Sequence, residues 1–296
     1  MNKSPRILVA TDFSPLAQEA IRQAHERAAP VRATLAVCHI VQNELKSNVL
    51  FPHLTTPHAL LSPLELDRIR EALSANVKSL TGRGEGEFEI LVDDGTPYAA
   101  ILTLAESWKA DLIVIGSHGS EDLYDLMLGG VAENVTRYAH CPVLVAKPHK
   151  KSGHIVAGTD FSDHALSAVE AAVEEARRTG SRLTIVHSMQ VSWSASSFAA
   201  RGLGSPPPEP SVEKYDELRK AVEDRLVELV ARFELAADPR VLDGPAAAAL
   251  IRIAKETNAD LLVVGTRGRT GLARVLLGSV AEGAVRSAPC SVLVVR

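Results

Sequence analysis

Short apolar runs alternate with longer amphipathic stretches along the whole chain. In the first half, runs near 6–11, 34–40, 87–92, 111–116 and 142–146 have strand length, and the intervals near 14–29, 63–81, 97–109 and 129–139 have helix length. Ser14 followed by Pro15 supplies an N-cap and a first helical residue, because proline loses nothing where the N–H is orphaned anyway. In the second half the strongest helix runs from about 212 to 233. There Val212, Tyr215, Leu218, Val222, Leu226, Leu229 and Phe233 step by three or four into one apolar stripe. Strands alternating with helices imply right-handed crossovers and a parallel sheet covered on both faces.

The series of elements occurs twice. Thr11-Asp12-Phe13-Ser14 returns as Thr159-Asp160-Phe161-Ser162, His39 as His187, Gly116 and Gly119 as Gly265 and Gly268, Gly129 as Gly278, and Cys141 as Cys290. The offset stays at 148 or 149 residues, half of the 296-residue chain, so the chain is a duplicated unit with almost no insertion between copies. The expected domains are 1–147 and 154–296, joined by a linker at 148–153. The seven residues 147–153 span at most roughly 25 Å, so the two sheets must lie near one another. The last strand, Ser291 to Val295, has an apolar edge that needs cover. Pairing it with Pro142 to Ala146 makes the chain an internal pseudo-dimer, with further homodimerisation left open.

Composition narrows the function classes. Aromatic residues make up 4% of the chain, which leaves Val, Ile, Leu and Ala to build the core, as buried parallel sheets do. A net charge of −4 lacks the basic footprint of a nucleic-acid module. No apolar run reaches membrane-spanning length, so neither export nor membrane insertion is expected, and a cytoplasmic setting is. Cys38, Cys141 and Cys290 form no disulfide framework, and His140, Cys141 and His149 have no metal-ligand spacing. His39 and His187 read as strand-end histidines satisfied by backbone groups. The segments 41–62 and 189–210, the latter with Gly202, Gly204 and Pro206-Pro207-Pro208, are expected to be irregular. Phe51, His53, Trp193 and Phe198 in them either tack a loop to its own domain or cover a ligand.

The chemistry concentrates after strand four. Gly265 to Ala281 runs from an apolar strand through a glycine-punctuated loop into a helix, an arrangement that gathers backbone N–H groups around phosphate. Asp12 and Asp160 stand just past strand one. In open parallel sheets ligands bind beyond the strand C-termini where strand order reverses. If strands one and four are neighbours, aspartate and glycine loop face one crevice, the aspartate accepting ribose hydroxyls or holding a hydrated metal. The alternatives are that the glycines only satisfy backbone geometry and that the aspartates only cap turns.

The strand ending in ATDFS or GTDFS, the histidine ending strand two, and G-x-x-G with nine residues before G-S together resemble the universal stress protein family in its tandem form. The resemblance spans both halves. It implies an α/β fold: two tandem, doubly wound, open parallel five-stranded sheets in the order 3-2-1-4-5, with helices on both faces. It also implies ATP binding in one branch of the family, without vigorous hydrolysis, and a part in stress adaptation. Carried over by position, the ATP contacts fall on Asp160, on Ser188 against the adenine, on Gly265 and Gly268, and on Gly278, Ser279 and Val280. Thr159, Arg267 and Arg269 join them. The first copy offers Asp12, Ile40, Gly116, Gly119, Gly129, Gly130 and Val131, with His118 inside its loop.

The first copy departs from the pattern, because Gly130 replaces the hydroxyl residue. That forfeits one phosphate hydrogen bond, roughly 1 to 3 kcal/mol to a charged acceptor. Between Gly265 and Gly278 lie Arg267, Arg269 and Arg274 and no acid, whereas between Gly116 and Gly129 lie Glu121, Asp122 and Asp125 and no Lys or Arg. Arg267 and Arg269 read equally as solvated loop charges. ATP is therefore expected mainly in the second domain, with Mg near Asp160 and no metal held by protein alone; AMP or ADP are alternatives. The leading function is a nucleotide-dependent sensor or regulator with a protein partner. The competing ones are a slow ATPase or phosphotransferase and an adaptor that binds no nucleotide. No G-x-x-x-x-G-K-[ST] supplies a phosphate-neutralising lysine, and no G-x-G-x-x-G follows strand one.

Overall fold

A computed structural model describes residues 4–42, 62–84, 86–118, 129–190, 211–266, 268 and 277–296. The first unit runs β1 (Arg6–Ala10), α1 (Pro15–Val31), β2 (Thr34–Gln42), α2 (Pro63–Thr81), β3 (Glu89–Gly95), α3 (Pro97–Ser107), β4 (Leu112–Gly116), α4 (Gly130–Tyr138) and β5 (Val143–Ala146). The second repeats the series as β6 (His154–Gly158), α5 (Asp163–Thr179), β7 (Arg182–Met189), α6 (Val212–Ala231), β8 (Ala237–Asp243), α7 (Ala246–Glu256), β9 (Leu261–Gly265), α8 (Ser279–Ser287) and β10 (Ser291–Val295). Ser14 does cap α1, its Oγ accepting from the Ala17 N–H at 3.2 Å with Pro15 in the first turn. On α6 the expected stripe narrows. Leu226 and Leu229 are buried, but Val212 and Leu218 are exposed, because at 100° per residue they lie about 60° off the stripe's centre.

Strand order is β3-β2-β1-β4-β5-β10-β9-β6-β7-β8. Each half has the order 3-2-1-4-5, and the halves merge into one ten-stranded sheet through the expected pairing of their last strands. All pairings are parallel except β5 with β10, the junction between the halves. Alternate residues face opposite layers: Leu8 and Ala10 join the core under α3, α4, α7 and α8, while Ile7 and Val9 join the core under α1, α2, α5 and α6. Both cores run unbroken from one unit into the other.

The junction is a pseudo-twofold. Leu144 pairs with Leu293, its own counterpart at an offset of 149, so the axis passes between them. Arg27 and Glu175, counterparts at an offset of 148, meet across the same axis at 2.8 Å, and Arg178 closes on Glu175 at 2.7 Å. Gln23 donates to the Lys147 carbonyl at 3.1 Å and accepts from the Ser291 hydroxyl at 2.9 Å. Burial works to raise the Glu175 carboxyl, but Arg27 and then Arg178 outweigh it and hold the group below its ordinary value.

Arg27→Ala is expected to cost about 2–3 kcal/mol in urea unfolding, since it strips a largely buried carboxylate of one partner. Because the folded Glu175 titrates below its ordinary value of 4.5, its contribution is complete above that value and is lost as pH falls through the lower one. The stability gap between the natural protein and Glu175→Gln should therefore shrink on acidification from about pH 6 to about pH 3. A gap constant across that range would show that the ion pair contributes nothing.

Candidate functional site

The repeated Thr-Asp-Phe-Ser segment forms a tight turn at the end of the first strand of each unit. Thr11 Oγ1 accepts from the Phe13 N–H at 3.1 Å, and Asp12 Oδ1 from the Ser14 N–H at 3.0 Å. In the second unit Thr159 Oγ1 accepts from Phe161 N–H at 3.0 Å, and Asp160 Oδ1 from Ser162 N–H at 3.0 Å. The aspartates do cap turns, as the plainer reading had it. The turn places Phe13 and Phe161 at φ of 65° and 62°, a left-handed conformation that bulky residues rarely adopt. Each ring packs on the strand-two histidine, with centroids 5.0 Å apart for Phe13 and His39 and 4.9 Å for Phe161 and His187. Nδ1 of His39 lies 2.8 Å from the Thr11 carbonyl and Nδ1 of His187 2.8 Å from the Thr159 carbonyl. A carbonyl only accepts, so Nδ1 carries the proton in both rings, and both histidines brace the turn.

The glycines divide into two kinds. At Gly116 a Cβ would stand 2.9 Å from the Leu16 carbonyl carbon, and at Gly265 one would stand 2.7 Å from the His164 carbonyl oxygen. Close passage of α1 and α5 over the end of strand four explains both without a ligand. At Gly268 a Cβ would stand 2.6 Å from Asp160 Oδ2, so Gly268, three residues past strand four, lies against the strand-one aspartate, the juxtaposition that the strand order required. Gly129 and Gly278 are N-caps of α4 and α8, and neither helix start receives a side-chain cap. Their N–H groups donate back to the Ser117 carbonyl at 2.9 Å and the Thr266 carbonyl at 2.7 Å. Ser279 and Gly130 occupy the first helical position, where backbone N–H groups point out of the helix. The Ser188 hydroxyl donates to the Gly244 carbonyl at 2.6 Å. Gly119, Arg267, Arg269 and Arg274 lie outside the described residues, as do Phe51, His53, Trp193, Phe198 and the acids Glu121, Asp122 and Asp125.

In the first unit a cavity of about 540 Å³ opens at these strand ends. Asp12, Ile40, Gly116, His118, Gly129, Gly130 and Val131 all border it, so every described first-copy candidate converges there. The cavity also takes in Thr11 of the repeated motif, together with Gln42, Thr96, Pro97, Tyr98, Ile101 and Asn134, which sequence comparison did not single out. Five of them have unlike counterparts: Pro245, Ala246, Ala247 and Leu250 stand for residues 96, 97, 98 and 101, and Gly283 for Asn134. That mismatch was the available signal. In the second unit buried Leu250 packs against Gly158, where a Cβ would meet Leu250 Cδ1 at 2.8 Å.

No thiol is poised to react. Burial raises Cys38 and Cys290 to about 12 and Cys141 to about 11. Among the described residues no group of three or more His, Cys, Asp or Glu side chains is placed to hold a metal, and no helix is long and apolar enough to cross a membrane.

Sheet order and strand-end turns define a tandem pair of doubly wound α/β domains. The profile of the universal stress protein family matches residues 3–147 and again 151–296, and the chain belongs to that family. Universal stress protein Rv2623 of Mycobacterium tuberculosis is 30% identical over 307 residues, covering 100% of this chain and 97% of the relative. A universal stress protein of Mycolicibacterium smegmatis is 27% identical, covering 98% of this chain and 96% of its own. The crystal structure of a universal stress protein from Archaeoglobus fulgidus shares the fold with a TM-score of 0.64 at 20% identity, covering 99% of both chains.

Gly265→Ala should lower stability by about 1–3 kcal/mol, because its Cβ is driven into the α5 backbone. Gly130→Ala, whose Cβ meets nothing within 4 Å, should change it by no more than about 0.5 kcal/mol. Urea unfolding compares the two directly, and equal effects would refute the close-passage account of Gly265.

Proposed function

We propose that this stress protein binds ATP or another adenine nucleotide, chiefly through the phosphate groups at the second unit, and acts as a nucleotide-dependent regulator in the cytoplasm. The observation that carries this reading is the contact of Gly268 with Asp160 at the point where strand order reverses. It puts a carboxylate suited to ribose hydroxyls beside the loop that leads to Gly278, Ser279 and Val280 at the uncapped start of α8. The sequence adds Arg267, Arg269 and Arg274 between the glycines, charge that attracts phosphate. Asp160 is the residue that would hold magnesium accompanying the nucleotide, since among the described residues no group of three or more His, Cys, Asp or Glu side chains is placed to hold a metal.

Mass spectrometry of the ligand retained by natively purified protein, followed by ATP titration, tests the reading. Ser279→Gly should weaken ATP binding about tenfold, equivalent to about 1.4 kcal/mol, and Gly130→Ser should leave the second-unit affinity unchanged. Failure of any adenine nucleotide to bind would overturn the proposal. Multiple-turnover phosphate release that Asp160→Ala abolishes while binding persists would make the protein an enzyme instead.

A further inference from the structure

We propose that the first unit carries a separate site for a small oxyanion, in a polar cavity between the C-terminal ends of α1 and α2. Those helices lead into β2 and β3, so the cavity lies at the N-terminal end of the strands, away from the strand-end clefts on which the proposed function rests. Its volume of about 560 Å³ falls within the usual range for a small-ligand pocket, and it opens to solvent. His25, Ala29 and Arg32 reach it from one stripe of α1 and its C-cap, at the spacing that brings side chains onto one helix face. Thr81, Arg83 and Glu87 border it from the end of α2 and the turn that follows. In the second unit Val173 and Gly180 stand at the positions of His25 and Arg32, so the shared fold does not itself call for donors here.

Arg83 is fixed before any ligand arrives. Its Nε donates to His25 Nδ1 at 2.9 Å and its Nη1 to the Glu87 carbonyl at 2.8 Å, which leaves Nη2 uncommitted among the described residues. Arginine keeps its protons, so Nδ1 of His25 accepts and the neutral ring carries its hydrogen on Nε2. Burial and then the Arg83 charge hold His25 below its ordinary value, against the pull of Glu26 and Glu87, in keeping with a neutral ring. Exposed Arg32 makes no ion pair or hydrogen bond through its guanidinium among the described residues. The acceptors, by contrast, are largely taken. Thr81 Oγ1 donates to the Val77 carbonyl at 2.7 Å and accepts from the Arg83 N–H at 3.2 Å, the Lys78 carbonyl takes the Gly82 N–H at 2.9 Å, and Glu87 Oε2 takes the Gly84 N–H. Uncommitted donors therefore outnumber acceptors, and two of them are guanidinium groups, whose planar forks match an oxyanion. On the described lining one carboxylate, Glu87, stands against two arginines; Glu85, in the same turn, lies outside the described residues.

Titration of the full-length chain with inorganic phosphate and with acetate, at neutral pH and an ionic strength held constant with chloride, tests this through the ring NMR signal of His25, assigned from its loss in His25→Gln. Phosphate should move that signal saturably. Arg32→Gln removes a guanidinium that has no partner to lose, and Ala29→Glu sets a carboxylate at an exposed position on the same helix stripe. Each should weaken phosphate binding about tenfold and leave urea unfolding unchanged. Ser279→Gly should leave the His25 titration as it is, which separates this site from the second-unit cleft. Tighter binding of phosphate than of acetate marks a phosphorylated ligand, and the reverse order a carboxylate one. A His25 signal that phosphate moves no further than chloride does, or a saturable shift that survives both Arg32→Gln and Ala29→Glu, would overturn the inference and leave the proposed function standing.

Discussion

The antiparallel pairing of β5 with β10 is the contact on which the rest of the molecule depends. Both strands end their units, and both are apolar where they pair: Val143, Leu144, Val145 and Ala146 on one side and Val292, Leu293, Val294 and Val295 on the other are buried. Left unpaired, each would be an apolar edge inviting association with other chains. Joined, they satisfy each other's backbone groups and carry both core layers across the junction, since Val145 and Val292 belong to one layer and Leu144 and Leu293 to the other. The short linker makes that pairing intramolecular within a short closed loop, so the entropy lost in bringing the halves together is small.

Within each unit the analogous constraint is the turn after the first strand. A phenylalanine in the left-handed region costs on the order of 1–3 kcal/mol. Here that cost is offset locally: a threonine hydroxyl and an aspartate carboxylate each take an N–H of the turn, and the ring packs on a histidine whose Nδ1 is tied to the threonine carbonyl. The four residues of the motif and the distant histidine thus form one device. Its effect is to hold the aspartate at the end of the sheet, beside strand four, with the following helix already capped.

Much of this was legible before the structure. The duplication, the strand order implied by the family resemblance and the pairing of the last strands all follow from runs of apolar residues and matched motifs, because those signals come from burial and backbone geometry that repeat faithfully. Asp12 and Asp160 with the glycine loops could be assigned to one crevice for the same reason. What the sequence concealed lies at the junction of β3 and α3 and on α4. Thr96, Tyr98, Ile101 and Asn134 shape the first cavity, yet they belong to no repeated motif, and their importance appears only when packing depth is known. The two meanings of glycine were equally hidden: Gly265 yields to a helix backbone and Gly268 to a carboxylate, a distinction that depends on what passes overhead.

Fusion of the halves explains why the two clefts could part company. A twofold homodimer of single units sets each residue opposite its own copy, so the position of Arg27 and Glu175 on the axis would hold two like charges. Only a covalent duplication lets one half carry the arginine and the other the glutamate, and the ion pair observed there is a mark of that freedom. The same freedom reaches the strand ends. In the second unit Leu250 closes on Gly158, and Ala247 Cβ lies 2.9 Å from where Gly283 would carry a Cβ, so α7 sits close because two glycines admit it. The first unit has Ala10 and Asn134 at those positions, and both border the open cavity. An added methyl at 158 would collide with Leu250, so the packing of Leu250 in the second unit is unavailable to the first as it stands. The seam holds the sheet in common, while the helices over the strand ends answer to residues that each half has been free to change.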